Sequence, residues 1–109
     1  GINANESENY PEDSFEGMVE TAKEKDFNFV YLHDITQKVA KAYGASCTPD
    51  PFLFDAEQKL VYHGRFDDAL EPGNTPTTAD MDEAIAAVLE GKKPEHDFLF
   101  SIGCSIKWK

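Results

Sequence analysis

Apolar positions in the first half of the chain alternate between helical spacing and a short run typical of a strand. Residues 27–32 are rich in aromatic and β-branched side chains, which predicts a strand covered on both faces, as in a parallel sheet. Residues 35–43 predict a helix with Asp34 at its start and Gly44 as its C-terminal cap. Residues 14–25 predict an earlier helix, because their apolar side chains recur every three or four residues and share one face: Phe15, Met18, Val19 and Ala22.

The second half predicts a hairpin followed by a third helix. Two short apolar runs, residues 51–55 and 59–64, are separated by a turn-like triplet and indicate an antiparallel pair of strands. Residues 78–90 again carry apolar side chains at helical spacing. Thr77 and Asp80 fit the pattern of a capping box, in which each side chain binds the backbone amide of the other residue.

The order of these elements defines the fold class. A strand end at residues 2–5 precedes them, so the order is (β)-α-β-α-β-β-α-tail, an α/β fold with a mixed sheet flanked by helices. A length of 109 residues predicts a single domain over residues 1–109. Residues 94–109 form a tail that is irregular but apolar, and we expect it to pack back on the domain.

Charge and hydropathy exclude several partners. Ten Lys and Arg residues stand against 21 Asp and Glu, a formal net charge of -11. This balance argues against nucleic acid and against an anionic membrane surface, because both require positive charge. The apolar runs are too short to span a membrane. No signal peptide is visible, which favours the cytoplasm, but the first residue is Gly1 rather than Met, so the compartment stays open.

Six segments of the chain carry motifs that are shared with one known group of proteins: residues 10–14, 31–34, 39–45, 47–55, 59–65 and 101–109. The terminal Gly-Cys-Ser-Ile-Lys-Trp at residues 103–108 is the most specific of them. Together these segments resemble the redoxin group of thioredoxin-like proteins, which includes relatives of the thiol-specific antioxidant proteins (peroxiredoxins). The resemblance implies a partial thioredoxin-like fold. Its first βα unit, which carries the Cys-x-x-Cys motif of the group, is absent from this sequence.

The resemblance also implies where a substrate groove lies. In thioredoxin-like proteins a cis-proline lies against the redox disulfide, and Pro49 is the residue that matches it. The backbone of the preceding residue contacts thiol substrates in the group, and here that residue is Thr48. An X-Pro peptide bond adopts the cis form at a cost of only about 0.5–1 kcal/mol, so the geometry is accessible at this position.

The two cysteines, Cys47 and Cys104, are the candidate catalytic residues. Two thiols 57 positions apart are compatible with buried side chains, with one long-range disulfide, or with one reactive thiol. A reactive thiol needs a nearby cation, helix N-terminus or metal to stabilise its thiolate. Cys104 is the stronger redox candidate because Lys107 follows three positions later, whereas no basic residue lies within five positions of Cys47.

The histidines give no metal signal. His33, His63 and His96 are not at metal-ligand spacing from each other or from a cysteine. The sequence therefore predicts no metal site and no cofactor, and it places His33 at the end of a strand and His63 on a face of the hairpin.

Three functional hypotheses remain. The first is a redoxin-type thiol–disulfide oxidoreductase or peroxidase-like domain, incomplete and not catalytic alone, whose partner is a thiol or disulfide protein. The alternative is a non-enzymatic module that associates with itself. Its expected form is a homodimer or a swapped dimer, because loss of the first βα unit would expose an apolar sheet face and unpaired strand edges. The third is a fragment of a complete redoxin.

Overall fold

The computed structural model describes residues 1–69, 71 and 73–109, which form two units. One unit comprises Gly1–Ser46 with Ser105–Lys109, and the other comprises Cys47–Cys104. In the described part of the chain, every helix is too short or too polar to cross a membrane. The helices are α1 (Phe15–Glu24), α2 (Lys38–Tyr43) and α3 (Asp80–Leu89). The strands are β1 (Ile2–Asn3), β2 (Leu32–His33), β3 (Cys47–Thr48), β4 (Phe52–Phe54), β5 (Leu60–Gly64), β6 (Phe98–Leu99) and β7 (Cys104–Ser105).

The first helix of the first unit confirms the prediction for residues 14–25, and its packing explains why it contains a glycine. Ser14 caps α1, because its Oγ accepts a hydrogen bond from the Gly17 backbone amide at 3.1 Å. The preceding 3-10 turn, Pro11–Asp13, packs directly against the helix. A Cβ atom on residue 17 would lie 2.4 Å from the Glu12 carbonyl oxygen, so this close packing requires glycine.

The strand predicted over residues 27–32 is wrong in length and in burial. Only Leu32–His33 is a strand, and it pairs in parallel with the two residues of β1. Val30 is 71% exposed, so the run is not covered on both faces. The aromatic rings preceding β2 contact one another instead: Phe27 stacks on Phe29 with centroids 4.6 Å apart and meets the edge of Tyr31 at 5.4 Å. With only two residues of β1 to pair with, the ladder ends there.

The second helix begins later than predicted. α2 starts at Lys38 because Gln37 takes a left-handed conformation with φ of 62°. Asp34 still serves the helix start, since its carboxylate accepts a hydrogen bond from the Ala40 amide at 2.9 Å. Gly44 ends the helix in a left-handed conformation, which confirms the predicted C-terminal cap.

The Gln37 side chain holds the C-terminal residues within the first unit. It is almost fully buried, with 2% of its surface exposed. Its Nε2 donates hydrogen bonds to the carbonyls of Ala4 (2.7 Å) and Lys107 (2.8 Å), and its Oε1 accepts one from the Lys109 amide at 3.0 Å. Beside this contact the Asn5 side-chain oxygen accepts a hydrogen bond from the Lys107 amide at 2.8 Å. Buried polar atoms of one side chain are thereby satisfied by three separate backbone positions.

The second unit is built on the predicted hairpin, which the structure confirms. β4 and β5 are antiparallel, with Phe52 opposite His63 and Leu53 opposite Tyr62. β6 joins the other edge of β5 in parallel, so the tail contributes a strand that the sequence pattern did not predict. Gly64 is required where β5 meets β6, because a Cβ atom there would overlap the Leu99 carbonyl.

Helix α3 covers the centre of this sheet, and its start differs from the prediction. Tyr62, Met81 and Ala84 form the buried core, with Leu53 packed against them. Burial, followed by the nearby Asp80 carboxylate, raises the pKa of Tyr62.

The prediction of a capping box at the start of α3 is wrong. Ala79 is the N-terminal cap and supplies no side-chain hydrogen bond. The Asp80 carboxylate accepts from Arg65 Nε at 2.7 Å, and Thr77 binds Asp68 through both its hydroxyl and its amide. Each side chain expected in the capping box therefore has a different partner.

Candidate functional site

The sequence-predicted site residues lie together in the second unit. The Thr48–Pro49 peptide bond is cis, the geometry that the resemblance implies for this position. The Thr48 hydroxyl donates a hydrogen bond to the Cys104 carbonyl at 3.5 Å. Gly103 fits against Thr48 so closely that a Cβ atom on it would lie 2.2 Å from the Thr48 carbonyl oxygen. Although Cys47 and Cys104 are distant in sequence, the fold brings their segments side by side.

The two thiols differ in exposure. Cys104 is exposed, whereas Cys47 is partly buried, and no disulfide joins them. The Cys47 thiol donates to two backbone carbonyls, with Sγ 3.6 Å from the Pro49 oxygen and 3.9 Å from the Ser101 oxygen. The site therefore contains one accessible thiol and one thiol held against the backbone.

A cluster of three polar side chains lies next to Pro49, and sequence reasoning missed it. Asp50 is buried, with 4% of its side chain exposed. Its Oδ1 lies 2.7 Å from His63 Nε2 and accepts a hydrogen bond from the Ser101 hydroxyl at 3.3 Å. The predicted hairpin could have indicated the contact between Asp50 and His63. His63 pairs with Phe52, only two residues after Asp50.

Aromatic packing fixes the His63 ring in this cluster. The ring stacks on Phe52 with centroids 4.0 Å apart and planes 12° from parallel. Phe98 of the neighbouring strand lies on it at 5.1 Å in a tilted arrangement. Because the ring is held by these contacts, its Nε2 is aimed at Asp50.

A small cavity of about 150 Å³ opens beside Pro49. Its walls are mainly apolar, and each of its three polar side chains already has a partner in the protein. Arg65 Nε is bound to Asp80, the Ser101 hydroxyl is bound to Asp50, and Asp67 Oδ1 accepts a hydrogen bond from the Ala69 amide. This lining suits a small apolar group better than a polar one. The apolar walls include Pro49, Pro51, Phe66 and Ile102.

Within the described part of the chain, no three His, Cys, Asp or Glu side chains come together as metal ligands. The donors at the site are two thiols and one Asp–His pair.

The fold and the site together define a class. The molecule is an α/β protein with a partial thioredoxin-like fold, and two thiols flank its cis-proline segment. The model of the AhpC/TSA family matches residues 1–63, more than half of the chain. The chain belongs to the AhpC/TSA family.

Two solved structures are highly similar to the chain. An uncharacterized conserved protein from Geobacillus kaustophilus is 50% identical with a TM-score of 0.91, and the match covers 99% of this chain and 58% of that one. A hypothetical protein from Sinorhizobium meliloti 1021 is 49% identical with a TM-score of 0.91, covering 99% and 60%. The chain thus spans about three-fifths of the length of these relatives. No curated protein matches it.

Proposed function

We propose that the chain supplies the substrate groove and a reactive thiol pair of a redoxin-type thiol–disulfide oxidoreductase or peroxidase, and that it does not turn over alone. One observation carries the proposal: in a member of the AhpC/TSA family, an exposed Cys104 and a partly buried Cys47 flank the segment of Thr48 and cis-Pro49. Thr48 and Pro49 form the groove for a thiol or disulfide protein, and the cavity beside Pro49 receives an apolar group of that partner.

The chemistry needs only the two thiols and an oxidant. With a disulfide, the Cys104 thiolate attacks one sulfur, a mixed disulfide forms and the other sulfur leaves as a thiolate. Cys47 then attacks the Cys104 sulfur, releases the second thiol and gives up its proton. With a hydroperoxide, Cys104 becomes a sulfenic acid as the oxidant is reduced to an alcohol, and Cys47 condenses with it to release water. Both routes end in a Cys47–Cys104 disulfide, which an external dithiol reduces.

Glutathione disulfide is a simple probe of this proposal. In the Cys47→Ser variant, the mixed disulfide between Cys104 and glutathione should accumulate, because no second thiol displaces it. The unsubstituted chain should instead release both glutathione molecules and gain an internal disulfide, and Cys104→Ser should react far more slowly. Intact mass distinguishes these species. Equal reaction of all three proteins with glutathione disulfide would contradict the proposal.

A second candidate function, self-association, rests on a separate observation in the first unit. Several large apolar side chains there are exposed, and they lie close together in the sequence: Phe29, Val30, Leu32 and Ile35. Exposed apolar patches of this kind mark interfaces, so we propose that a second copy of the chain covers them as a homodimer or swapped dimer. Sedimentation at low micromolar concentration should show a dimer, and Val30→Lys should shift it to monomer. A monomer before substitution would contradict this candidate.

A further inference from the structure

The Asp50 side chain is linked to two backbone carbonyls that contact the Cys47 thiol. One of them, the Pro49 oxygen, belongs to the peptide group that joins Pro49 to Asp50 itself, and it lies 3.6 Å from Cys47 Sγ. The other, the Ser101 oxygen at 3.9 Å, belongs to the residue whose hydroxyl donates to Asp50 Oδ1 at 3.3 Å. Anything that moves the Asp50 carboxylate therefore moves the acceptors of the thiol.

Asp50 is itself held in place. Only 4% of its side chain is exposed, and His63 Nε2 lies 2.7 Å from the same Oδ1 that Ser101 binds. The His63 ring is stacked on Phe52, so this contact cannot swing freely. The aromatic stack therefore holds the His63 ring, His63 holds the Asp50 carboxylate, and Asp50 is linked to the two carbonyls.

Carbonyl oxygens favour the protonated form of a thiol. They accept a hydrogen bond from S–H but repel the negative charge of a thiolate, and only the thiolate is a good nucleophile. Cys104 is exposed to solvent, and only its backbone carbonyl, not its thiol, accepts the hydrogen bond from Thr48. The surroundings of the two thiols therefore differ in a way that sets their order of reaction.

We propose that Asp50 is a positioning residue that keeps Cys47 as the protected thiol, so that Cys104 reacts first and Cys47 only completes the disulfide. This inference rests on the proposed function for its role in a reaction sequence. The positioning itself is a property of the reduced chain and can be measured without any oxidant.

Alkylation of each cysteine with iodoacetamide, followed by site-resolved mass spectrometry, tests the proposal on the folded, reduced chain. Cys104 should react at least about tenfold faster than Cys47, the effect of one hydrogen bond. Asp50→Ala, which removes the oxygen that both His63 and Ser101 contact, should raise the Cys47 rate by about tenfold and leave the Cys104 rate unchanged. Ser101→Ala, which keeps the carbonyl but loses its anchor, should give a smaller rise.

A matched control separates positioning from loss of stability. Ala84→Gly weakens the core of the same unit, and it should not change the ratio of the two alkylation rates. The infrared S–H stretching band gives a second readout in the Cys104→Ser background, where Cys47 is the sole thiol. The band should shift to higher frequency in Asp50→Ala, because the carbonyls that accept from the thiol lose their support.

The proposal is overturned if Cys47 is alkylated as fast as Cys104 in the unsubstituted chain, or if Asp50→Ala leaves both the rate ratio and the S–H band unchanged. Suppose the two alkylation rates behave as predicted but the chain does not exchange with glutathione disulfide. That result would refute the proposed function and leave the positioning role of Asp50 intact. The two claims can therefore fail separately.

Discussion

The Thr48 carbonyl oxygen lies 2.2 Å from the position that a Cβ atom would occupy on Gly103. The residue after Gly103 is Cys104, whose carbonyl accepts the hydrogen bond from the Thr48 hydroxyl. A glycine at position 103 thus lets the segment that carries the exposed thiol approach the cis-proline segment at backbone contact distance. This contact gives a steric reason for the glycine in the terminal motif at residues 103–108.

Gly103→Ala should destabilise the chain by about 2 kcal/mol, because the clash is with backbone and no side chain can move to relieve it. Urea unfolding measures the change. Gly44→Ala is a suitable control: residue 44 has open space around it, and its left-handed φ of 73° makes alanine cost about 1 kcal/mol. If Gly103→Ala cost no more than Gly44→Ala, the close approach to Thr48 would be wrong.

His63→Phe should lower the free energy of unfolding by about 2 kcal/mol, because it removes one hydrogen-bond partner of a buried carboxylate. Phenylalanine keeps a ring stacked on Phe52, so the substitution removes the polar contact and little of the packing. Ser101→Ala should cost only about 1 kcal/mol, since Asp50 keeps its contact with His63. Similar values for the two variants in chemical denaturation would show that the His63–Asp50 contact is not the main support of Asp50.

The Asp68 carboxyl should titrate well below the ordinary aspartate value of 3.8. The hydrogen bond from the Thr77 hydroxyl, followed by those from the Thr78 and Thr77 amides, lowers the pKa of Asp68 to about 2. Because the folded pKa lies below the ordinary value of 3.8, the contribution to stability is present above pH 3.8 and is lost as the pH falls toward 2.

NMR titration of the side-chain carboxyl carbons checks this assignment. Thr77→Val should raise the pKa of Asp68, because it removes the hydroxyl hydrogen bond that lowers this pKa most while keeping both backbone amides. It should also make stability depend less on pH between 4 and 2. An Asp68 titration midpoint that does not respond to Thr77→Val would show that the hydroxyl contact is not made in solution.

Gln37→Leu should release the end of the chain in the first unit. The substitution removes three hydrogen bonds from a buried side chain and should cost about 3 kcal/mol. Hydrogen exchange provides an internal comparison. The Lys109 amide binds Gln37 and should lose protection, whereas the Lys107 amide binds Asn5 and should change less. Equal loss at both amides would indicate unfolding of the whole unit rather than loss of this contact.

Local sequence pattern was sufficient for part of the fold. It predicted α1 and the β4–β5 hairpin, because each depends on side chains only a few positions apart. It failed over residues 27–31, where apolar composition predicted a buried strand but the strand that pairs with β2, namely β1, has two residues. Strand length depends on the partner strand, and that information is not local.

The candidate site shows the same division. Cys47, Cys104, Thr48 and Pro49 were recognised from motifs, and the structure places their segments together. The Asp50–His63–Ser101 cluster was missed because it depends on hairpin register and on a tail segment about 50 positions away in sequence. The capping box failed because Arg65, from another element, takes the Asp80 carboxylate.

We propose that Cys47 and Cys104 act as one redox pair beside Pro49. Intact mass after mild hydroperoxide treatment, with alkylation of any remaining thiols, tests this pairing. A redox pair should give a chain about 2 Da lighter than the dithiol that takes up no alkylating agent until a dithiol reduces it. If both cysteines instead remain thiols that are alkylated only after the chain is unfolded, they are structural residues and the redox assignment is wrong.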